Sequence, residues 1–328
     1  MRVFGMHDAS GCGYYRITMP LAELGRHGHD VRLVLGSDVK ASTAASWPLI
    51  VGQRVDKHEA LPSWRRFRAR SRLVYEIDDD VFNVEPVNWQ AYGVYSRREV
   101  QDAVMHCAET ADLVTVTTEP LAQVMRQFNG NVAVLPNHVP GWVCDHPRPR
   151  RDRPVAGWQG GASHGADMGL IARPLRKFLD RFPGWDAHLL GTDYRPTVRH
   201  EHARFTEWVN IGEDPAAYYG AIDFDIGLAP LVPSVFSDSK SAIKALEYAA
   251  LGIPVIASDT PAYRGFVIHG VTGFLVRYDH EWLKYLSELA ADEGLRESMG
   301  AKARDAAREF TIENGWQLWE DAYKGLCS

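Results

Sequence analysis

Cysteine is sparse in this 328-residue chain, and Cys12, Cys107, Cys144 and Cys327 are widely scattered with no Cys-x-x-Cys spacing. That argues against a zinc knuckle or a dithiol redox pair, so free thiols are expected. Thirteen histidines include no His-Glu-x-x-His, and the pair His200 and His202 lies in a polar stretch that reads as exposed rather than metal-bound. No apolar run reaches the length of a membrane-spanning helix, and the opening MRVFGMHDASGCG lacks the apolar core of a signal peptide. A cytoplasmic protein without a transmembrane segment is therefore expected. A surplus of one charge is also missing: charged residues make up 24% and the formal net charge is −6. Neither nucleic acid nor an anionic membrane follows from that balance. The basic clusters at Arg65 to Arg72 and Arg148 to Arg153 are interleaved with Pro, Trp or Phe and read as a helix face and a linker, with a membrane-surface role for the first as a minor alternative.

What is present is an alternation of apolar runs and helical periods, which favours α/β architecture over a sandwich or a bundle. The length predicts two domains of about 150 residues each. In the first half, strands are predicted at 2–7, 31–35, 49–51, 73–77, 113–117 and 132–135, with helices at 15–27 and near 57–70, 95–109 and 119–128. Periodicity then fails in a Pro- and Arg-rich stretch. The second half restarts with a strand at 155–158. It continues with a helix at 165–182, strands at 187–190 and 207–211, a short helix near 215–221, and strands at 226–229, 253–258 and 272–276. From Asp279 onward the chain reads as helix, and its last segment carries Trp316, Trp319 and Tyr323 at spacings of three and four. The predicted division is 1–140, a linker at 141–153, 154–310 and a terminal helix at 311–328.

The most telling stretch is DIGLAPLVPSVFSDSKSAIKALEYAALGIPVIAS, Asp225 to Ser258. A strand leads through a Pro-bearing loop into a helix capped near Ser237 or Asp238, and a second buried strand follows. In open parallel sheets a ligand lies beyond the carboxyl ends of the strands, where the helix N-terminus offers unpaired N–H groups to an anion. Ser239, Lys240 and Ser241 stand there. Lys240, Lys244 and Glu247, three and four residues apart, would share one helical face; the competing reading is a solvated face with a Lys244–Glu247 pair.

The run SKSAIKALEYAALGIPVIAS resembles the C-terminal signature of retaining GT-B glycosyltransferases of the family 4 type, the glycosyl transferases group 1. The resemblance implies two Rossmann-like domains facing across a cleft, with the C-terminal helix returning to the first. It also implies that Glu247 holds the ribose hydroxyls of a nucleotide. The family's first glutamate would fall on Ser239; either Asp238 substitutes for it, or Ser239, Lys240, Ser241 and backbone amides serve the diphosphate, or turnover is impaired. Lys240 and Lys244 are the expected cations at the diphosphate.

Three further sites stand out. The loop Asp8-Ala-Ser-Gly-Cys-Gly-Tyr-Tyr-Arg follows the opening strand, and Gly11 and Gly13 permit a tight turn there. The third position of a dinucleotide fingerprint is occupied by Arg16, which weakens a dehydrogenase reading. By the resemblance, Gly13 would let the chain approach a donor, while Tyr15 and Arg16 would meet an acceptor or a phosphate. Asp78-Asp79-Asp80 closes a buried strand, where crowding should raise at least one carboxyl pKa. A role for Asp78 or Asp79 toward an acceptor hydroxyl is favoured over a divalent-metal site, a donor-sugar contact or a solvated helix cap. Gly160, Gly161 and Ser163 form a second anion nest, from which His164 could donate to a diphosphate, with Asp167 capping the helix or orienting His164.

The implied activity is transfer of a hexose from a UDP- or GDP-sugar to an acceptor hydroxyl with retention, without a permanent cofactor or a required metal. Lys240, His164, Asp78 and Asp79 are the catalytic candidates. A glycan, small molecule or protein remains open as acceptor. The alternatives are a lapsed nucleotide- or sugar-binding scaffold of the same fold and a sugar-nucleotide epimerase.

Overall fold

The computed structural model describes residues 1–8, 11–39, 46–147 and 151–327. Ala9 and Ser10 of the first glycine loop, and 148–150 of the expected linker and second basic cluster, lie outside the described residues. Two six-stranded parallel sheets carry the chain. The first contains β1 (Arg2–His7), β2 (Asp30–Leu35), β3 (Leu49–Gln53), β4 (Arg72–Glu76), β5 (Leu113–Val116) and β6 (Val132–Val134), in the spatial order β2-β1-β3-β4-β5-β6. The second contains β7 (Val155–Gln159), β8 (Asp186–Gly191), β9 (Ala203–Glu207), β10 (Ile226–Ala229), β11 (Val255–Ser258) and β12 (Gly273–Val276), in the order β12-β11-β10-β7-β8-β9.

Central strands such as β3, β5, β7 and β10 are buried along their whole length. Helices cover both faces of such strands, so they appear in sequence as continuous apolar runs rather than alternations. The order of connection reverses between β1 and β3 in the first sheet and between β7 and β10 in the second. At each reversal the flanking loops leave in opposite directions and open a crevice at the carboxyl ends.

Two expectations are corrected. The strand placed at 207–211 is Ala203–Glu207, an edge strand paired among the described residues with β8 alone. Its half-buried alternation is a weaker signal than the apolar Trp208, Val209 and Ile211 that follow, and Ile211 is buried from a loop instead. The helix expected from Ser237 or Asp238 is two helices. A short one at Val235–Asp238 is capped by Ser234, whose side chain accepts from the Ser237 N–H, and Ile243–Ala250 follows. Between them the Ser239 hydroxyl donates to the Phe236 carbonyl at 2.8 Å, a local bond that competes with helix continuation. Lys240 therefore lies outside the helix that carries Lys244 and Glu247.

The chain ends in the helices Asp279–Ala291, Glu293–Arg308, Ile312–Gly315 and Gln317–Cys327. The last returns to the first sheet's side. Ile312, Trp319 and Tyr323 are buried in one apolar cluster with Tyr15, Leu21 and Val139. Trp316 stacks on His27 with centroids 3.8 Å apart, and His29 bonds Glu320 at 2.8 Å. Burying one such aromatic side chain contributes up to about 4–6 kcal/mol, so the terminal helix is a structural tie between the two halves.

Candidate active site

At the β7/β10 crevice, the helix Ile243–Ala250 begins with no side-chain cap on its N-terminus. Glu247, one turn in, is only 3% exposed. One carboxylate oxygen accepts from the hydroxyls of Tyr15 and Tyr218, the latter at 2.8 Å, and the other accepts from Gln159 Nε2 at 2.6 Å. The Tyr15 hydroxyl also bonds that of Tyr219 at 2.9 Å. Burial pushes Glu247 up to about 7, against the pull of these donors and of Lys244. Lys244 Nζ is buried without a hydrogen-bond partner and lies 5.2 Å from the centre of a Trp158 ring. Burial draws its pKa down to about 8. The Lys244–Glu247 pair is not formed among the described residues.

The glycine loop after β7 lies alongside. A Cβ on Gly160 would stand 2.5 Å from the Trp158 ring, so this glycine is required by packing, whereas Gly161 faces open space and Ser163 is exposed. His164 Nδ1 bonds Asp167 at 2.7 Å, and the second Asp167 oxygen accepts from the Val232 N–H at 2.7 Å. Asp167 thus orients His164 and ties the loop to the one after β10. Burial, then Lys244, lowers His164 to about 4. With the Nδ1 proton held by Asp167, the other nitrogen of this neutral ring is an acceptor.

Across the interface the three aspartates part company. Asp78 pairs with Arg54 at 2.6 Å; Asp79 meets Arg54 at 3.3 Å and Lys240 Nζ at 2.9 Å. Asp80 accepts from the Phe82 N–H at 3.2 Å and Asn83 Nδ2 at 2.8 Å. Despite burial, Lys240 and Arg54 hold Asp79 down to about 2, while burial raises Asp80. No group of three or more His, Cys, Asp or Glu side chains gathers as a metal site among the described residues. Lys240 is an interdomain partner of Asp79, and Asp79 in turn holds it charged against burial.

The remaining predicted residues divide. Arg16 is 1% exposed and binds Glu76 through two nitrogens at 2.7 and 3.0 Å, with further bonds to the Leu135 carbonyl and Asn137. It is a buried structural cation, which corrects its assignment as a ligand clamp. Tyr15 faces Glu247. A Cβ on Gly13 would stand 2.3 Å from the Asp8 carbonyl oxygen, so Gly13 permits the turn to pack on its own strand end. Ser239 is buried, and its carbonyl accepts from the Thr118 hydroxyl at 2.6 Å. The Ser241 hydroxyl accepts from Asn137 Nδ2 at 2.8 Å. Asp238, Lys240 and Ser241 line a cavity of about 290 Å³ with Thr118 and Asn137.

Sequence reading missed Arg54, Gln159, Tyr218 and Asn137. Arg54 and Gln159 had a usable signal, being at or just past the carboxyl end of an apolar strand. Tyr218 had none, since its bond to Glu247 spans 29 residues.

Residues 165–292 match the family described as glycosyl transferases group 1. No curated protein matches the chain. Among solved structures, Anabaena HepE in complex with UDP-glucose superimposes with a TM-score of 0.70 at 15% identity, over 100% of this chain and 99% of that one. A glycosyltransferase from Rickettsia africae gives 0.69 at 13%, over 100% and 98%. Sucrose-phosphate synthase from Thermosynechococcus elongatus gives 0.67 at 15%, over 100% and 99%. The chain has the fold of these proteins: GT-B, two Rossmann-like domains with the terminal helix returned to the first.

Proposed function

We propose that this chain, with its glycosyl transferases group 1 domain at 165–292, is a retaining glycosyltransferase that moves a hexose from a nucleotide diphosphate sugar to an acceptor hydroxyl. The observation that carries this reading is Lys244, a buried ammonium without a hydrogen-bond partner at the carboxyl-end crevice of the second sheet, three residues from Glu247. A diphosphate supplies the anion that Lys244 lacks, and ribose hydroxyls replace the Tyr15 hydroxyl at Glu247. In this reading 154–310 is the donor domain and 1–140 the acceptor domain, joined by 141–153, with 311–328 packed back. UDP-sugars are the first donors to try because HepE has been solved with UDP-glucose; GDP-sugars come next.

The chain's task is electrostatic. Lys244, and Lys240 on exchanging its single partner Asp79 for the ligand, neutralise charge that grows on the departing diphosphate, and closure of the two domains excludes water. Neutral His164 accepts from a sugar hydroxyl, with Gly161 and Ser163 beside it. Asp78 and Asp79 hold Arg54 in place on the acceptor side, and the acceptor's proton passes to the leaving phosphate on the same face. No covalent enzyme intermediate is needed. Lys240→Ala should lower turnover about 10²–10³-fold while nucleotide affinity changes less.

One observation favours a second reading, a lapsed enzyme that binds without transfer. Ser239 stands where the resemblance places the family's first glutamate, and its hydroxyl is turned inward onto Phe236. Proton NMR of the chain with UDP- and GDP-hexoses and a panel of acceptors separates the two. Appearance of a new glycoside with the donor's anomeric configuration, together with free nucleoside diphosphate, supports transfer, whereas binding without turnover across the panel supports the lapsed form.

A further inference from the structure

The β1/β3 reversal of the first sheet opens a cavity of about 540 Å³, lined from the loops after three strands by His7, Asp8, Gly36, Gln53, Arg54 and Asp56. We infer that this cavity is the acceptor site and that it takes an uncharged sugar ring; the inference rests on the transferase reading.

Three features select that chemistry. The first is an unmet hydrogen bond. Gln53 is 6% exposed; its carbonyl oxygen accepts from the Asp8 N–H at 3.2 Å, but its Nε2 is buried with no partner. A buried amide left unpaired is costly, and a ligand hydroxyl in the cavity satisfies it. The second is the apolar part of the wall, to which Trp64, Phe67 and the half-buried Tyr95 contribute; Tyr95 is the ring open to the C–H side of a sugar while its hydroxyls meet Gln53 and Asp56. The third is charge. Arg54 is already paired with Asp78 and Asp79, so its guanidinium is not available to a phosphate. Lys57 is then set against Asp56. Among the described lining residues, a phosphorylated or carboxylated acceptor would meet Asp56 without a spare guanidinium.

Arg54 also links the cavity to the donor side. It lines the cavity, holds Asp79, and Asp79 in turn binds Lys240 from the second half. Its backbone is left-handed, with φ of 46°, and its N–H is fixed to the Glu76 carbonyl at 2.9 Å. A non-glycine residue held in that region carries strain, which persists where the surroundings dictate the position.

The test is saturation-transfer NMR on the full chain with methyl glycosides of glucose, galactose, mannose and N-acetylglucosamine, beside glucose 6-phosphate and glucuronate. UDP binding is measured separately by calorimetry. At least one neutral glycoside is expected to bind, with a signal that drops at least about fivefold in Asp56→Asn and Tyr95→Ala while UDP binding is kept. Asp56→Asn removes only a charge on a loop, so an unchanged melting temperature verifies its fold. Binding that prefers the charged sugars, neutral-sugar signals unchanged in both variants, or UDP binding with no sugar bound at all would overturn the inference. A chain that binds the neutral glycoside here but no nucleoside diphosphate contradicts the transferase reading and leaves the cavity's sugar chemistry standing.

Discussion

Glu247 receives hydrogen bonds from Tyr15, Tyr218 and Gln159, yet burial still raises its pKa to about 7. Its ordinary value is 4.5, so between those pH values the folded chain holds a proton that the unfolded chain has lost. Stability should therefore fall as pH rises through that window. Glu247→Gln is predicted to flatten this part of the curve, as read from melting temperatures between pH 5 and 8; parallel curves for the two proteins would refute it. Tyr15 competes with a ribose for the same carboxylate. Tyr15→Phe should tighten nucleotide binding by up to about tenfold, and a weakened complex would instead make Tyr15 a ligand contact. Lys244 runs the other way, because only its charged form serves a diphosphate. Affinity should be level below about pH 8 and fall by up to about tenfold per unit above it, with Lys244→Arg moving the fall to higher pH. Affinity unchanged to pH 9.5 in the natural protein would exclude Lys244 from the site. At this scale sequence told where Lys244 and Glu247 stand, from strand–loop–helix order. It could not tell that Arg16 would be claimed by Glu76, a partner 60 residues away.

Elements were legible where their signal is local. Strands such as β1, β7 and β10 are continuous apolar runs, and Gly165–Arg181 has a clear helical period, so they appear close to where they were expected. The break between Val235–Asp238 and Ile243–Ala250 depends on serine side chains bonding to nearby backbone, and apolar periodicity does not record that choice. The spacing of the terminal aromatics fits packing into the core of the second half as well as the return to the first that the resemblance implies. The structure assigns the return through Trp316 on His27 and Trp319 edge-on to His138 at 5.3 Å. Trp319→Ala should cost about 3–5 kcal/mol in urea unfolding, and a loss below about 1 kcal/mol would show that this helix does not tie the halves together.

At the scale of the whole molecule, contacts across the interface come from residues distant in sequence: Tyr15 with Glu247, Asp79 with Lys240, Asn137 with Ser241, Thr118 with the Ser239 carbonyl. They join the carboxyl edges of two sheets that reverse at facing points, one bearing an unpaired lysine and the other an unpaired amide. The fold class follows from the alternation of strands and helices. The closeness of the two crevices does not, because it is set by side chains that meet only after both sheets have formed. The most direct measurement is a calorimetric titration of UDP, and then GDP, into the natural chain and Glu247→Ala. The account predicts that one diphosphate binds and that the variant loses about 1.5–3 kcal/mol, roughly 10- to 150-fold. Equal affinity for both proteins, or no binding of either nucleotide, would contradict it.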